Sequence, residues 1–382
     1  MKVLHLITSL KIGGAESALV NLLKKFKEEN KNNHFIAHFY NGPNVEKIKA
    51  LGFPVFKIKG IIHKYDPIAY IQLKKLIKKI KPDIIHSSLW SANFFGKLIA
   101  NSLKIPILCD LHSNFSHDGK IRAFLERITA NMAQKYIAIS KTSYQGFINT
   151  IVNKIKNENK RKNLKSKILI IQNGIDVKKV RKQFFKNPLS KIELGFKKDD
   201  FIIGGVGRLE PIKSFDLLIK AFSIFVNKIQ TDKKNIRLCI VGDGSQRKKL
   251  ENLVKKLDLT NKVLFVGQRI DAQRFYHIFD CFVLSSISEG LSISLLEALC
   301  FGLPIITTHN SFNHDVIINN KNGFLIPIGD KNKLAQAIEK LYSSNLLCKK
   351  IKNENLKLVK AKFDIEKTKN AYQKAYSDMQ IL

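Results

Sequence analysis

Acidic residues are what this chain lacks most: 31 Asp and Glu stand against 66 Lys and Arg, a formal net charge of +35 over 382 residues. Such an imbalance points the surface field toward anionic partners, with anionic lipid headgroups, phosphorylated glycolipids and nucleic acid as candidates. Nine of the bases are arginine and 57 are lysine, with Asn and Ile also abundant, as an A/T-rich coding bias would produce. Drift of that kind explains surplus lysine on solvated faces but not the missing acids. Cysteine is sparse too. Cys109, Cys239, Cys281, Cys300 and Cys348 are scattered without a Cys-x-x-Cys pair, which excludes a zinc ribbon or a disulfide framework and makes them small core residues. No run of eighteen uncharged apolar residues occurs, and Lys2 to Ile7 reads as a strand rather than a leader, so the expectation is a cytoplasmic protein, peripheral on the inner face of a membrane at most. Helix-turn-helix patterning, zinc-ligand spacing and aromatic-rich basic strands are all missing, which argues against nucleic acid as the partner despite the charge.

What is present is a regular alternation of short apolar strands and amphipathic helices, the pattern of doubly wound parallel sheets. Strands are expected at Val3 to Thr8, Phe35 to Phe39, Val55 to Ile58, Asp83 to Ser87, Ile105 to Asp110, Tyr136 to Ser140 and Lys167 to Ile171. The turn-rich break Gln172-Asn173-Gly174-Ile175-Asp176 marks a boundary between domains at 1–173 and 174–360. A second alternation follows, with strands at Ile202 to Val206, Arg237 to Val241, Val263 to Val266, Cys281 to Leu284, Pro304 to Thr307 and Gly323 to Ile326. Two such sheets in one chain imply two facing Rossmann-like α/β domains with a cleft between them. The most regular helical segments of the first half are Glu16 to Phe26, Pro67 to Ile80, Ala92 to Ser102 and Ile121 to Gln134.

The stretch from Ser285 to Thr308 carries the chemistry. Ser288-Glu289-Gly290 breaks a buried strand before a helical periodicity at Ile293, Leu295, Leu296 and Leu299, so a carboxylate sits on a strand-to-helix turn. Gly290 admits a close ligand, and a helix capped at Ser292 or a neighbour would offer free N–H groups to a phosphate. Glu297 lies about two helical turns beyond Glu289 on the same side. Two acids flanking an anion pocket suit a ligand with hydroxyls at both ends and phosphate in the middle, the layout of a nucleotide sugar. The second lobe opens with Gly204-Gly205-Val206-Gly207-Arg208, then Lys213 just ahead of a helix. Arg grips phosphate bidentately and Lys adds a second positive charge, so the pair reads as a clamp on a departing phosphate. Gly13-Gly14 after the first strand and His112-Ser113 after the fifth lie at the corresponding edge of the first sheet. Taken singly, each of these residues has an ordinary reading as a tight turn or a solvated side chain.

Basic segments have two readings. The helix Pro67 to Ile80 carries Lys74, Lys75, Lys78 and Lys79 beside Ile71, Leu76, Ile77 and Ile80, which suits either an anionic membrane surface or, preferably, a sheet. The helix Glu16 to Phe26, with Lys24, Lys25 and Lys27, is ambiguous in the same way. Seven bases between Asn153 and Lys167 read as an exposed insertion, either a solvated loop or a contact to acidic headgroups.

With Arg208, Lys213, Glu289 and Glu297 assembled, the chain resembles family 4 of the retaining glycosyltransferases with the GT-B fold. The likeness runs through Gly13-Gly14-Ala15-Glu16, Pro82-Asp83-Ile84-Ile85-His86, Ile139-Ser140, Asn173-Gly174-Ile175-Asp176, Gly207-Arg208 with Lys213, and the Glu-x7-Glu element. The resemblance implies a nucleoside-diphosphate sugar, UDP-linked, as co-substrate on the second domain, and a glycan or glycolipid acceptor of the lipid-linked, lipopolysaccharide or capsule type on the first. It implies that Arg208 and Lys213 neutralise the diphosphate, that Glu289 bonds sugar hydroxyls, and that the Gly290 and Leu291 N–H groups hold phosphate. It further places Glu297 on the ribose, Gly267-Gln268-Arg269 near the base, His112 near the donor sugar, and Gly14 and Gly207 against the ligand. A final helix within 361–382 would cross back to the first domain. No cofactor and no metal are implied, and no Asp-x-Asp triplet occurs. His309 to Asp315 and Cys300-Phe301 depart from the family pattern, which leaves the donor sugar open. A sugar-nucleotide epimerase or phosphorylase on the same fold is the competing enzyme reading, and a basic nucleic-acid-binding protein the non-enzyme one.

Overall fold

A computed structural model describes residues 1–29, 33–59, 67–112, 119–229, 235–288, 292–310 and 313–380, the side chains of 183–186 and 314 excepted. The chain divides into two units, Met1–Gly174 with Ile365–Leu382, and Ile175–Asp364. In the first, β1 (Val3–Ser9), β2 (His34–Tyr40), β3 (Val55–Lys57), β4 (Ile84–Ser88), β5 (Ile107–Leu111), β6 (Lys135–Ala138) and β7 (Ile168–Ile170) form a parallel sheet in the order β3-β2-β1-β4-β5-β6-β7. In the second, β8 (Phe201–Val206), β9 (Ile236–Val241), β10 (Val263–Gly267), β11 (Cys281–Leu284), β12 (Ile305–Thr308) and β13 (Phe324–Ile326) are parallel in the order β10-β9-β8-β11-β12-β13. Both sheets reverse direction once, between β1 and β4 and between β8 and β11. At such a reversal the flanking loops part to opposite faces and leave room for a ligand.

Strand alternation sorts the core of the first unit into two layers. Leu4 and Leu6 pack on one face with Phe95, Ile99 and Leu73, while Val3 and Ile7 pack on the other with Leu19, Leu23, Phe26, Tyr372 and Tyr376. The second face is covered by two helices, Gly14–Glu28 and Ile365–Gln380. Helix Gly14–Glu28 buries Ala18, Leu19, Leu22, Leu23 and Phe26 at three- and four-residue spacing, with Glu16 in its first turn and Lys25 and Lys27 in its last, where the helix dipole favours them. Lys25 pairs with Glu28 at 2.8 Å and Glu366 at 3.3 Å, and Lys369 pairs with Glu29, so the charges expected to face outward serve partly to join these two helices.

Beneath them lies a buried polar network. Asp110 is 5% exposed, and its Oδ2 accepts from His86 Nε2 at 2.8 Å and from Ser88 Oγ at 2.8 Å, while Oδ1 accepts from the Tyr372 hydroxyl at 3.0 Å. With Nε2 donating, His86 Nδ1 accepts from the Tyr376 hydroxyl at 2.7 Å. Burial alone would raise the Asp110 carboxyl, but the facing and hydrogen-bonded His86, with His112 nearby, outweighs it and holds the group far below the ordinary carboxylate range. His5 stacks on His34 at 5.1 Å and lies tilted to His86 at 5.0 Å, and burial pushes its imidazole well below the usual value.

Two readings of the basic segments are corrected. Residues 153–167 are not a structureless insertion: Asn157 caps the helix Glu158–Ser166 by accepting from Lys160 N at 2.9 Å, and Leu164 is buried beneath it. In Pro67–Ile80, Ala69, Leu73, Ile77 and Ile80 face the core, whereas Ile71, expected in that apolar stripe, is 63% exposed.

Because Asp110 is charged, buried and met by three side chains from β4 and the helix Ile365–Gln380, Asp110→Ala is expected to destabilise the protein by about 3–5 kcal/mol in urea unfolding. A carboxyl held low contributes stability above its unfolded value, near pH 4, and loses it as pH falls through the folded value. The variant's acid-limb slope should therefore be shallower than wild type; an equal slope would count against the network.

Candidate functional site

The loops at the reversal of the second sheet are tied to one another. After β8 the chain runs through Gly207 and Arg208 into a single 3₁₀ turn, Pro211–Lys213, and Ser214 then takes a left-handed φ of 48° to start the helix Phe215–Lys228. After β11, the Ser285 hydroxyl donates to the Lys213 carbonyl at 3.0 Å and the Ile287 N–H to the Ile212 carbonyl at 2.8 Å. From the other side, the Thr308 hydroxyl donates to the Ser286 carbonyl at 2.5 Å and Asn310 Nδ2 to the same oxygen at 3.2 Å. The turn leading to Glu289 is thereby fixed from both neighbouring strands. Asn310, in the segment that departs from the family pattern, contributes to holding it.

Glycines open this edge. A side chain at Gly242, where φ is 142°, would place its Cβ 1.8 Å from the Gly207 carbonyl oxygen, and Gly242 N–H donates to Gly267 O at 2.8 Å. The ends of β8, β9 and β10 are therefore in near backbone contact. Lys213 Cδ lies 3.9 Å from where a Cβ on Gly207 would stand, so its stem lies along the strand end, while Arg208 is exposed beside it.

Glu297 is on the helix Ile293–Phe301, 8% exposed, with Oε1 accepting from Gln273 Nε2 at 3.0 Å and Oε2 from the Tyr276 hydroxyl at 2.9 Å. Both donors sit on the 3₁₀ segment Ala272–His277, which follows the loop bearing Arg269. Burial raises the Glu297 carboxyl above its usual value, and the two hydrogen bonds oppose it without prevailing. Arg269 is exposed and paired through Nε and a terminal nitrogen with Asp271 at 2.8 and 3.0 Å, which pulls the Asp271 carboxyl down. Ser292 stands at the N-cap of Ile293–Phe301, but its hydroxyl meets Ser294 Oγ at 2.9 Å and makes no capping bond, contrary to the expected cap.

The second unit thus brings Gly207, Arg208 and Lys213 to one reversal, with Arg269 and Glu297 linked through Ala272–His277 at the same sheet's edge. Glu289, Gly290 and Leu291 lie outside the described residues. Gly14 and His112 belong to the first unit. Gly14 opens its first helix, and Ser9 Oγ donates to Glu16 Oε1 at 2.6 Å across that turn. His112 Nε2 stands 3.5 Å from Asp110 Oδ2, in a pocket also lined by Ala15, His86, Ser88 and Thr368. Sequence reasoning missed Ser285, Asn310, Gln273 and Tyr276. Only the last two carried a signal, a three-residue spacing on one turn.

Comparison with known proteins adds two sequence-family matches. Residues 12–179 match the family described as Glycosyltransferase Family 4, and residues 187–358 the one described as Glycosyl transferases group 1. The chain is 28% identical over 322 residues to the Escherichia coli UDP-Gal:alpha-D-GlcNAc-diphosphoundecaprenol alpha-1,3-galactosyltransferase, covering 82% of this chain and 80% of that one. It is 25% identical over 390 residues, 99% of each chain, to a Campylobacter jejuni alpha-1,4-N-acetyl-D-galactosaminyltransferase acting on a diNAcBac-PP-undecaprenol glycan. In fold it is similar to Anabaena Alr3699/HepE, solved with UDP and glucose, at a TM-score of 0.82, 22% identity and 99% coverage of both chains.

Burial raises the folded-state proton affinity of Glu297 above that of the unfolded chain, so stability is present at low pH and falls as pH rises through the folded value. Glu297→Gln is expected to raise the thermal midpoint of the ligand-free protein at about pH 8 and to leave it near wild type at about pH 4. A lower midpoint in the variant at the higher pH would contradict this account of the buried charge.

Proposed function

Since the chain belongs to the family 4 glycosyltransferases and has their GT-B fold of two parallel-sheet α/β units, we propose that it transfers a hexose or hexosamine from a UDP-linked donor to a lipid-linked glycan of the cell envelope, with retention at the anomeric carbon. The observation that carries the proposal is the hydrogen-bonded pair of loops at the reversal of the second sheet. It sets the Arg208 and Lys213 loop against the turn that leads to Glu289.

In this reading the donor diphosphate lies at that edge. Arg208 and Lys213 take up the negative charge that grows on the leaving group as the glycosidic C–O bond breaks. The Gly290 and Leu291 N–H groups add donors, Glu289 orients the sugar through its hydroxyls, and Glu297 accepts from the ribose. A carboxylate has about four lone-pair positions, so the bonds from Gln273 and Tyr276 leave Glu297 further acceptor capacity. Arg269 and its loop border the base, and Gly207 leaves space for the ligand's backbone contact. On the first unit, Gly14 lets the nucleotide sugar approach the backbone, and His112 is directed at the donor sugar. The acceptor hydroxyl attacks the face from which diphosphate departs, its proton passing to a departing phosphate oxygen, so that no protein nucleophile is used. Two cationic side chains supply what a divalent cation supplies elsewhere, and we read the reaction as metal-independent, without a cofactor. The relatives named for undecaprenol-linked acceptors support this acceptor class, and with it peripheral contact with an anionic membrane. No helix among the described residues is long and apolar enough to cross one.

The test is release of UDP from a panel of UDP-sugars in the presence of undecaprenyl-diphosphate-linked acceptors. Arg208→Ala and Lys213→Ala are each expected to lower kcat on the order of a hundredfold, as loss of a transition-state charge partner does. EDTA should leave the wild-type rate unchanged. Near-normal turnover in both variants would remove the clamp, inversion of the product anomer would remove the retaining mechanism, and a rate restored only by Mg²⁺ would remove metal independence.

A further inference from the structure

The helix Lys120–Thr129 in the first unit has its polarity reversed. Its inner face carries Glu126, 2% exposed, whose carboxylate receives Lys97 Nζ at 2.5 Å, and Thr129, also 2% exposed, whose hydroxyl donates to Leu125 O at 2.8 Å. Its outer face carries Ile121, Phe124 and Ile128, exposed by 69%, 54% and 57%. At about 100° per residue these three fall within roughly 60° of arc, a continuous apolar stripe. A water-soluble helix normally turns such a stripe to its core. Here the core side is filled by an ion pair that holds the helix in the opposite orientation, so the stripe needs a partner from outside.

Charge says which partner. Lys120 and Arg127 lie on one flank of the stripe, and no acid of this helix other than the buried Glu126 is present to offset them. Arg122 turns inward beside Thr129 and Glu126 around the helix, where it lies 5.0 Å over the ring of Trp90, which stacks on Phe94 at 5.4 Å. A second copy of this chain fits less well, because an antiparallel pairing of the stripe with itself would bring Lys120 and Arg127 of both copies to the same edge. Two further exposed isoleucines, Ile68 and Ile71, occupy the first turns of Pro67–Ile80, which packs on the same helix, Trp90–Leu103, that Lys120–Thr129 packs on. The helix follows β5, so its amino end is directed to the sheet edge from which His112 emerges.

We propose that Lys120–Thr129 lies in the plane of an anionic bilayer, with Ile121, Phe124 and Ile128 sunk among the lipids and Lys120 and Arg127 at the phosphates. This deepens, and rests on, the reading of a lipid-linked acceptor: the docked helix brings the first unit's sheet edge to the depth at which a membrane-anchored diphosphate glycan begins. It also assigns the contact to a helix other than the lysine-rich segments that composition singles out.

Trp90 is the only tryptophan of the chain, so its emission reports on this surface alone. Wild-type protein is expected to sediment with phosphatidylcholine vesicles containing phosphatidylglycerol, with a blue shift of emission, and to bind pure phosphatidylcholine weakly. The triple variant Ile121→Ser, Phe124→Ser, Ile128→Ser should lose on the order of tenfold or more in vesicle binding. The double variant Lys120→Gln, Arg127→Gln should lose the preference for phosphatidylglycerol and the salt sensitivity. UDP-induced thermal stabilisation retained in both variants would show that they are folded. The proposal is overturned if the serine variant sediments like wild type, or if wild type is a dimer that the serine substitutions dissociate while vesicles retain neither form. Failure of the glycosyl-transfer reading would appear separately, as absence of UDP release with intact vesicle binding.

Discussion

In a parallel sheet every strand hands the chain to its next helix at the same edge, and this constraint organises both halves of the protein. It gathers the carboxyl ends of the strands, the loops that follow and the amino ends of the helices into one line, and where the strand order reverses two of those loops must part. In the second unit that position is filled by the loops after β8 and β11. The hydrogen bonds from the Ser285 hydroxyl and the Ile287 N–H keep them from parting entirely, and near contact of Gly207, Gly242 and Gly267 keeps side chains out of the space. The result is an edge rich in backbone dipoles with two long cationic side chains beside it, which is what a diphosphate requires of a protein.

Each unit also contains a carboxylate removed from water, and the two are treated oppositely. Asp110 is met by His86, Ser88 and Tyr372 and is held ionised. Glu297 is met by two neutral donors, Gln273 and Tyr276, which do not compensate fully for burial. The first arrangement is structural: it locks the helix Ile365–Gln380 onto the sheet. The second leaves a buried carboxylate with two neutral donors and acceptor capacity to spare. Tyr276 also reaches Ser294 O at 3.2 Å, so Ala272–His277 is fastened to the helix bearing Glu297 at two points.

The fold was legible because its signals are local. Apolar runs of four to seven residues broken by Gly, Asn and Asp mark the strands, and observed limits shift by a residue or two, as where Lys135–Ala138 stops short of Ser140 because Ser140 caps the next helix. The expected helix Ile121 to Gln134 ends early, at Thr129, where the Thr129 hydroxyl bonds back to Leu125 O and the chain tightens into the 3₁₀ turn Ala130–Met132. Residues 153–167 were illegible as a helix because a row of lysines hides the single buried Leu164 that anchors it. At the site, Arg208, Lys213 and Glu297 could be picked out by their spacing from glycines and strand ends. Their supports were harder to find, since Ser285, Asn310 and the segment bearing Gln273 and Tyr276 are far apart in the chain and reach the site only in three dimensions. The outward direction of the apolar stripe of Lys120–Thr129 was not legible in the sequence, since periodicity shows that a helix has two sides but not which one meets the sheet.

The helix Ile365–Gln380 belongs to the first unit although the entire second unit precedes it in the chain. While the polypeptide is being made, the first sheet must wait with Asp110, His86 and the apolar row of Leu19, Leu23 and Phe26 lacking their Tyr372 and Tyr376 cover. Synthesis order and assembly order therefore differ. The first unit is started first and completed last, so a ribosome stalled after the second would release a chain with one finished unit and one open.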